Sequence, residues 1–275
     1  MTETARPSPS GFVDIHCHLL PGIDDGSRSW EESLEMAQQM VADGTDTVIV
    51  TPHQLGNYSE TLGQTIRHRT DQLQQWLSAN GVPLRVLPGA DVRIDAEMIE
   101  RLKSGDCLTL GDYRHHVLLE LPHELYQPLE PVLDQLHALG MVGILSHPER
   151  NQGILRQPQV IEPLVRAGCL MQVTADSYVG AFGEEPQHLA ESIVGNGWCH
   201  FLATDAHGSR RRPPRMRRAF EKAQGHVGHA LAVAMCCDNP RAVAEGRSVA
   251  HLPPVRSQGH WLQLAANFLL GRKAA

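Results

Sequence analysis

Short apolar runs that each finish on a histidine or an acid constrain this chain more than any other feature. His16 and His18 follow Val13-Asp14-Ile15, and His53 follows Val48-Ile49-Val50-Thr51-Pro52. Asp91 follows Val86-Leu87-Pro88-Gly89-Ala90, and Glu120 closes Val117-Leu118-Leu119. His147 follows Ile144-Leu145-Ser146, and Asp205 and His207 follow Phe201-Leu202-Ala203-Thr204. The pattern predicts strands at Phe12–His16, Thr47–Thr51, Leu84–Pro88, Val117–Leu121, Val142–Ser146, Leu170–Val173 and Phe201–Ala203, all rich in β-branched and apolar residues. Helical spacing fills the gaps, at Thr61–Ala79, Leu129–Leu139, Pro158–Arg166, Gln187–Gly195 and Arg215–Ala223. Another helix opens on the capping box Ser29-Trp30-Glu31-Glu32 and stops at Gly44. Strands that alternate with helices form a parallel sheet. An open, doubly wound sheet satisfies that pattern too, but the polar strand ends favour a closed α/β barrel, in which all C-terminal strand ends share one face. The 275 residues suit one such barrel, with no linker or repeat to divide it.

Alternate residues of an extended segment point the same way, so His16 and His18 present two imidazoles to one side. One H-x-H pair is weak evidence. Asp205-x-His207 repeats the geometry at another strand end, and His53, Glu120 and His147 stand at three more. Without a metal, each of these groups would need its own buried hydrogen-bond partner. Imidazole and carboxylate without thiolate suit manganese, iron or zinc, and the ligands outnumber the needs of one ion, so two or three ions are expected.

Hydrophobic residues make up 41% of the chain, enough for a large core, and the net charge of −7 argues against a nucleic-acid binder. No apolar stretch is long enough to span a membrane. Residues 1–10 are polar, with two prolines and no signal-peptide core, and read as a frayed tail of a cytoplasmic protein. Residues 11–250 form the expected barrel. Residues 251–275 read as an apolar helix that packs on the barrel or joins subunits. The six cysteines contain no C-x-x-C pair and read as reduced, buried thiols. None is followed by an arginine at the C-x5-R spacing, which excludes the cysteine-dependent phosphatase reaction. His115, His116, His123, His137, His226 and His229 fall off the ligand pattern, although His123 stands close enough to line a pocket. Gly56-Asn57-Tyr58 and Gly180-Ala181-Phe182-Gly183 read as loops at the mouth, with Tyr58 or Phe182 placed to stack on a substrate ring.

His16-Cys17-His18 followed by Leu20-Pro21-Gly22-Ile23-Asp24-Asp25-Gly26 resembles the opening of the polymerase-and-histidinol-phosphatase (PHP) superfamily. Within it the chain is similar to the bacterial manganese-dependent protein-tyrosine phosphatases of capsule and exopolysaccharide operons. The segments that carry this are Thr51-Pro52-His53, Ser146-His147-Pro148-Glu149-Arg150, Met171-Gln172-Val173-Thr174, Ala203-Thr204-Asp205-Ala206-His207 and Arg212-Pro213-Pro214. The match runs from about Val13 to Arg241. It implies a distorted (β/α)7 barrel with three ions: His16, His18, Asp91 and Asp205 on one, Asp91, Glu120 and His147 on a second, and Asp25, His53 and His207 on the third. The family usually carries Glu where Asp91 stands. A shorter side chain there implies a tighter bridge or one weaker site. Arg150 and Arg212 match arginines that contact substrate phosphate, although Arg210 and Arg211 compete with Arg212 for that part.

The resemblance implies attack on phosphorus by a metal-bridging hydroxide, with a tyrosine phenolate of pKa about 10 leaving unassisted. It also implies the partner, a bacterial tyrosine autokinase of polysaccharide synthesis. Histidinol-phosphate phosphatase shares these ligands and is the alternative within the superfamily. An amidohydrolase also begins with H-x-H, but its carboxylated lysine has no counterpart, since Lys103, Lys222 and Lys273 all miss a strand end. A DNA-editing exonuclease conflicts with the acidic charge. A non-catalytic metal-binding scaffold is the alternative of another class, and the near-complete ligand set speaks against it.

Overall fold

The computed structural model describes residues 11–249, so the expected tail over residues 1–10 and the expected helix over residues 251–275 lie outside the described residues. The first half runs β1 (Phe12–Cys17), α1 (Trp30–Asp43), β2 (Thr45–Val50), β3 (His53–Gln54), α2 (Gly63–Ala79), β4 (Arg85–Pro88), β5 (Asp91–Arg93), α3 (Met98–Ser104) and β6 (His116–Glu120). The second half runs α4 (Glu130–Ala138), β7 (Val142–Ser146), α5 (Gln152–Arg156), α6 (Ile161–Arg166), β8 (Leu170–Thr174), α7 (Ala175–Tyr178), α8 (Glu184–Gly195) and β9 (Phe201–Ala203). It ends in α9 (Arg217–Val227), α10 (His229–Val233), a π-helical turn at Ala234–Asp238 and α11 (Asn239–Ala244).

All strand pairs are parallel, in the orders β1-β2-β4 and β3-β5-β6-β7-β8-β9. The two sheets are one sheet with a crease. Between β2 and β3 lies Thr51-Pro52, where proline has no N–H for the ladder. Between β4 and β5 lies Gly89-Ala90, and a Cβ on Gly89 would sit 2.7 Å from Ile49 Cγ2. Pairing resumes beyond the crease, with Val50 opposite Pro88 before it and His53 opposite Asp91 after it. Counted once each, the interrupted strands leave seven among the described residues. The ring closes from β9 to β1: Asp205 N–H donates to His16 O at 2.7 Å and His18 N–H to Ala206 O at 2.9 Å. The fold is therefore the expected α/β barrel.

Two apolar layers follow from strand alternation. Val13, Ile15, Ile49, Leu118, Ile144, Phe201 and Ala203 form the inner layer with Leu110, Val243 and Ala244. Phe12, Cys17, Val48, Val50, Val117, Leu119, Leu145, Met171, Val173 and Leu202 belong to the outer layer with the helices. In β1 the register slips between Asp14 and Cys17. That irregularity lets His16 and His18 face the barrel mouth although Val13 and Ile15 already face its interior.

Several boundaries differ from the sequence reading. The expected Pro158–Arg166 helix is a 3-10 turn at Pro158–Val160 followed by α6. The expected Arg215–Ala223 helix runs instead over Arg217–Val227, starting where Asp43 Oδ2 accepts the N–H groups of Met216 and Arg217. The short helices α3, α5, α7, α10 and α11 lacked a long enough apolar period to be read. Ser29 caps α1 by accepting from Glu32 N–H at 3.2 Å, but Glu32 bonds Arg28 N–H at 3.0 Å instead of closing the box. All six cysteines are free and buried, as expected.

Candidate metal centre

Strand topology brings the candidate ligands together. His16 ends the inward face of β1, and His18 follows it. His53 opens β3, Asp91 opens β5 and Glu120 closes β6. His147 follows β7, and Asp205 and His207 follow β9. Asp25 arrives on the loop after β1, which folds back because Gly22 N–H donates to Ser27 O at 2.7 Å and Ser27 N–H to His18 O at 3.0 Å. Gly26 makes that return possible, since a Cβ there would lie 2.3 Å from His18 O and 2.4 Å from His18 Cβ. Six non-glycine residues among those described adopt positive φ: Leu55, Asp112 and Arg114 at 69°, 61° and 58°, and the candidate site residues His147, Asp205 and Arg212 at 32°, 50° and 52°.

All nine candidate ligands fall into four overlapping groups whose donor atoms lie within 4.8 Å of one another: His18, Asp25, His53 and His207; His16, His18 and Asp91; His16, His147 and Asp205; His53, Asp91 and Glu120. These groups keep Asp25, His53 and His207 together and His16, His18 and Asp91 together, as the resemblance implied, and add further neighbours. His147 clusters with His16 and Asp205, His53 joins Asp91 and Glu120, and His18 joins the outer set. Asp91 is the hub, with Oδ2 3.6 Å from His16 Nε2 and 3.4 Å from His53 Nδ1.

The hydrogen bonding of this cluster fits a cation. Gln172 Oε1 lies 2.8 Å from His16 Nδ1 and also receives His147 N–H at 3.4 Å. As an acceptor, it fixes the proton on His16 Nδ1. Asp24 Oδ2 does the same for His18 Nδ1 at 2.7 Å. The two Nε2 atoms stand 3.3 Å apart, so a cation that replaces the proton between them could take both lone pairs. Both oxygens of Asp91, Asp205 Oδ1 and His53 Nδ1 are buried with no hydrogen-bond partner among the described residues. Burial opposes the charge of His18, yet Asp24 and Asp205 drive its pKa up to about 10. Burial and the Asp91 carboxylate push Glu120 up to about 7. Burial pushes His147 down to about 3, and burial with the neighbouring His18 pushes His207 down to about 4. These are the responses of a cluster short of positive charge and rich in neutral imidazole donors.

Two arginines border the acids. Arg150 Nη1 and Arg212 Nη2 both donate to Asp205 Oδ2, and Arg212 also reaches the Asp205 carbonyl at 2.9 Å. The Phe182 ring covers both, with its centroid 4.5 Å from Arg150 Cζ and 5.7 Å from Arg212 Cζ. Arg210 and Arg211 are exposed, so Arg212 is the member of that run aimed at the site. Opposite, Tyr58 stacks on His53 with centroids 5.3 Å apart, beside a cleft of about 260 Å³ lined by Asp25, Asn57, Arg93 and Glu120 among others.

Residues 12–245 match the family model described as capsular polysaccharide synthesis, CpsB/CapC. The chain belongs to that family. It is 31% identical over 244 residues, 88% of this chain and 95% of the relative, to the tyrosine-protein phosphatase YwqE of Bacillus subtilis. It is 25% identical over 237 residues, 84% of this chain and 98% of the relative, to the tyrosine-protein phosphatase CpsB of Streptococcus pneumoniae. A solved structure from work on YwqE and CpsB, described as metal-dependent tyrosine phosphatases, matches with a TM-score of 0.83 at 31% identity, covering 88% of this chain and 98% of that one.

Sequence reasoning quoted Asp24, Glu149 and Gln172 within motifs but gave them no role. Glu149 is buried and accepts Thr174 N–H at 2.9 Å, and burial pushes its carboxyl up to about 7. Arg93, two residues past Asp91, donates to Glu120 Oε2 at 3.2 Å and carried no signal of its own. His116 is buried and sits at the opposite end of β6 from the site. The ring of His123 joins none of the four groups; its carbonyl receives Gln152 N–H at 2.9 Å.

Proposed function

We propose that this chain is a metal-dependent protein-tyrosine phosphatase that acts on a phosphotyrosine protein of capsule or exopolysaccharide synthesis. The observation that carries the reading is the convergence of nine nitrogen and oxygen donors beside the arginine pair Arg150 and Arg212. His16, His18, Asp25, His53, Asp91, Glu120, His147, Asp205 and His207 would hold the cations, with Mn²⁺ the first choice and Fe or Zn the alternatives for a thiolate-free set. When bound, such cations supply Lewis-acid charge neutralisation and a water acidified towards pKa about 7. Gln172 and Asp24 fix the tautomers of His16 and His18, so both Nε2 atoms are free to ligate. Arg150 and Arg212 turn from Asp205 to the phosphoryl oxygens, where a guanidinium fork matches the charge. Tyr58 and Phe182 flank the substrate ring. A phenolate of pKa about 10 leaves without the help of a general acid. A tyrosine autokinase of the same pathway is the proposed partner, in the cytoplasm, where buried free thiols persist.

The test strips the protein with a chelator and measures turnover of a phosphotyrosine peptide, a phosphoserine peptide and histidinol phosphate, with and without added Mn²⁺. Restored, phosphotyrosine-selective turnover is expected, and Cys17→Ser should keep most of it. Preference for histidinol phosphate would overturn the substrate assignment, and activity lost only in the cysteine variant would overturn the metal mechanism.

A further inference from the structure

Six of the chain's arginines lie in one nine-residue run, Arg210 to Arg218, immediately after the site residues of β9. They do not share one role. Arg212 turns inward to Asp205, and Arg217 lies over the Phe12 ring at 5.7 Å. Arg210, Arg211, Arg215 and Arg218 are exposed, and none has a carboxylate within ion-pair distance among the described residues. Asp176, partly buried on α7, feels the charges of Arg215, Arg212, Arg218 and, from the site, Asp205. Arg212 reaches the Asp205 carbonyl at 2.9 Å, the Arg215 N–H turns back to Pro213 O at 3.0 Å, and α9 starts two residues later, so Arg215 and Arg218 follow directly on the Arg212 edge of the mouth.

Unpaired guanidinia stand out on a chain of net charge −7, whose mouth also carries Asp25 and Glu120. A solvated arginine ordinarily finds an acid on such a surface. Along this edge of the mouth the unpaired positive charge attracts acidic polypeptides. We propose that Arg215 and Arg218, supported by Arg210 and Arg211, form a docking surface for a polypeptide whose phosphotyrosine is flanked by aspartates or glutamates. Guanidinium forks pair with such carboxylates while Arg150 and Arg212 hold the phosphoryl group. The proposal rests on the phosphatase reading for the phosphotyrosine, but the surface itself can be read by binding alone.

The experiment compares two phosphotyrosine peptides of equal length, one with Asp/Glu flanks and one with Asn/Gln flanks, together with phenyl phosphate, on the Mn²⁺-loaded protein. Wild type is expected to show the lower KM for the acidic peptide, and the preference should fade between ~0.05 and ~0.5 M salt as screening shortens the Debye length. Arg215→Ala/Arg218→Ala should raise KM for the acidic peptide about three- to tenfold, the sum of two exposed ion pairs, and leave the neutral peptide and phenyl phosphate unchanged. Asp176→Asn should act in the opposite direction and lower that KM. Fluorescence anisotropy with an unphosphorylated, labelled acidic peptide reads the same surface without turnover, so failure of the phosphatase reading leaves this measurement standing. Equal KM for both peptides, or equal loss on phenyl phosphate in the double variant, overturns the docking surface. So does binding of phosphatidylserine vesicles without binding of the acidic peptide.

Discussion

Asp24→Asn separates two adjacent acids to which the structure gives different work. Asp25 is 55% exposed and faces His53 and His207, each at 3.5 Å, as a ligand does. The Asp24 side chain is fully buried, with Oδ2 2.7 Å from His18 Nδ1 and 3.1 Å from His53 N, and Oδ1 3.0 Å from Gly26 N. It therefore orients two candidate ligands and grips the loop that delivers a third. Asparagine keeps the shape and one acceptor but loses the charge. A charge-assisted bond contributes about 1.5–3 kcal/mol, which at about 1.4 kcal/mol per decade is roughly tenfold to hundredfold in metal affinity. Loss of an outer hydrogen-bond partner of a ligating histidine typically costs about the same. Calorimetric titration of the chelator-stripped variant with Mn²⁺ should show that loss, and the activity midpoint should move with it. At saturating Mn²⁺ kcat should return close to wild type, because no donor atom has been removed. Asp25→Asn should instead stay impaired at saturation. Unchanged Mn²⁺ affinity in Asp24→Asn, or turnover that excess metal cannot restore in it but can in Asp25→Asn, would reverse the two roles.

Arg150→Ala and Arg212→Ala should each lower kcat/KM on a phosphotyrosine peptide by about 10²-fold, as removal of a transition-state donor does, while calorimetry finds Mn²⁺ binding retained. Gly26→Ala places a Cβ 2.3 Å from His18 O, so denaturant melts should report a loss of about 1–3 kcal/mol together with weaker metal binding. Burial and the neighbouring His115 push His116 down to about 4. Because the native state keeps this ring neutral while the unfolded chain protonates near pH 6.5, stability is full above that value. It declines as pH falls towards 4, by up to ~3 kcal/mol. His116→Leu should flatten that acid limb in urea melts of the metal-free protein, and an unchanged limb would exclude His116 as its source.

How legible this was depends on the range of each interaction. The inner strands were readable because Val13, Ile15, Leu118 and Ile144 alternate or run together within one segment. The candidate ligands were readable because a parallel barrel gathers its strand ends on one face, so sequence position alone predicts convergence. The crease at Pro52 and Gly89 was present in the sequence as breakers, but its effect, the restart of pairing at His53 and Asp91, depends on two strands breaking side by side. The roles of Asp24 and Gln172 were hidden for the same reason. A histidine's second nitrogen finds its partner through space, and Gln172 is 156 residues from His16. The pairing of His147 with Asp91 and Glu120 came from the resemblance and not from residue order; in space its donor atoms also lie within 4.8 Å of those of His16 and Asp205.

The backbone at the mouth is held in conformations that cost free energy, and two buried acids help hold them. His147 and Asp205 both sit at positive φ, a region that costs a non-glycine residue about 1–2 kcal/mol. Next to Asp205, Asp14 accepts Thr204 N–H at 3.1 Å and His16 N–H at 3.2 Å, tying β9 to β1 where the ring closes. Two residues past His147, Glu149 accepts Thr174 N–H and pins the turn to β8. Burial raises Asp14 to about 6 and Glu149 to about 7, so neither carboxyl is there for its own stability. Their contribution is positional: each fixes a backbone amide next to a residue whose side chain serves the mouth. The fold thus contributes to holding these donors in place. Substitution of Asp14 or Glu149 should therefore disturb the site through His147 and Asp205, although neither acid belongs to the candidate ligand set.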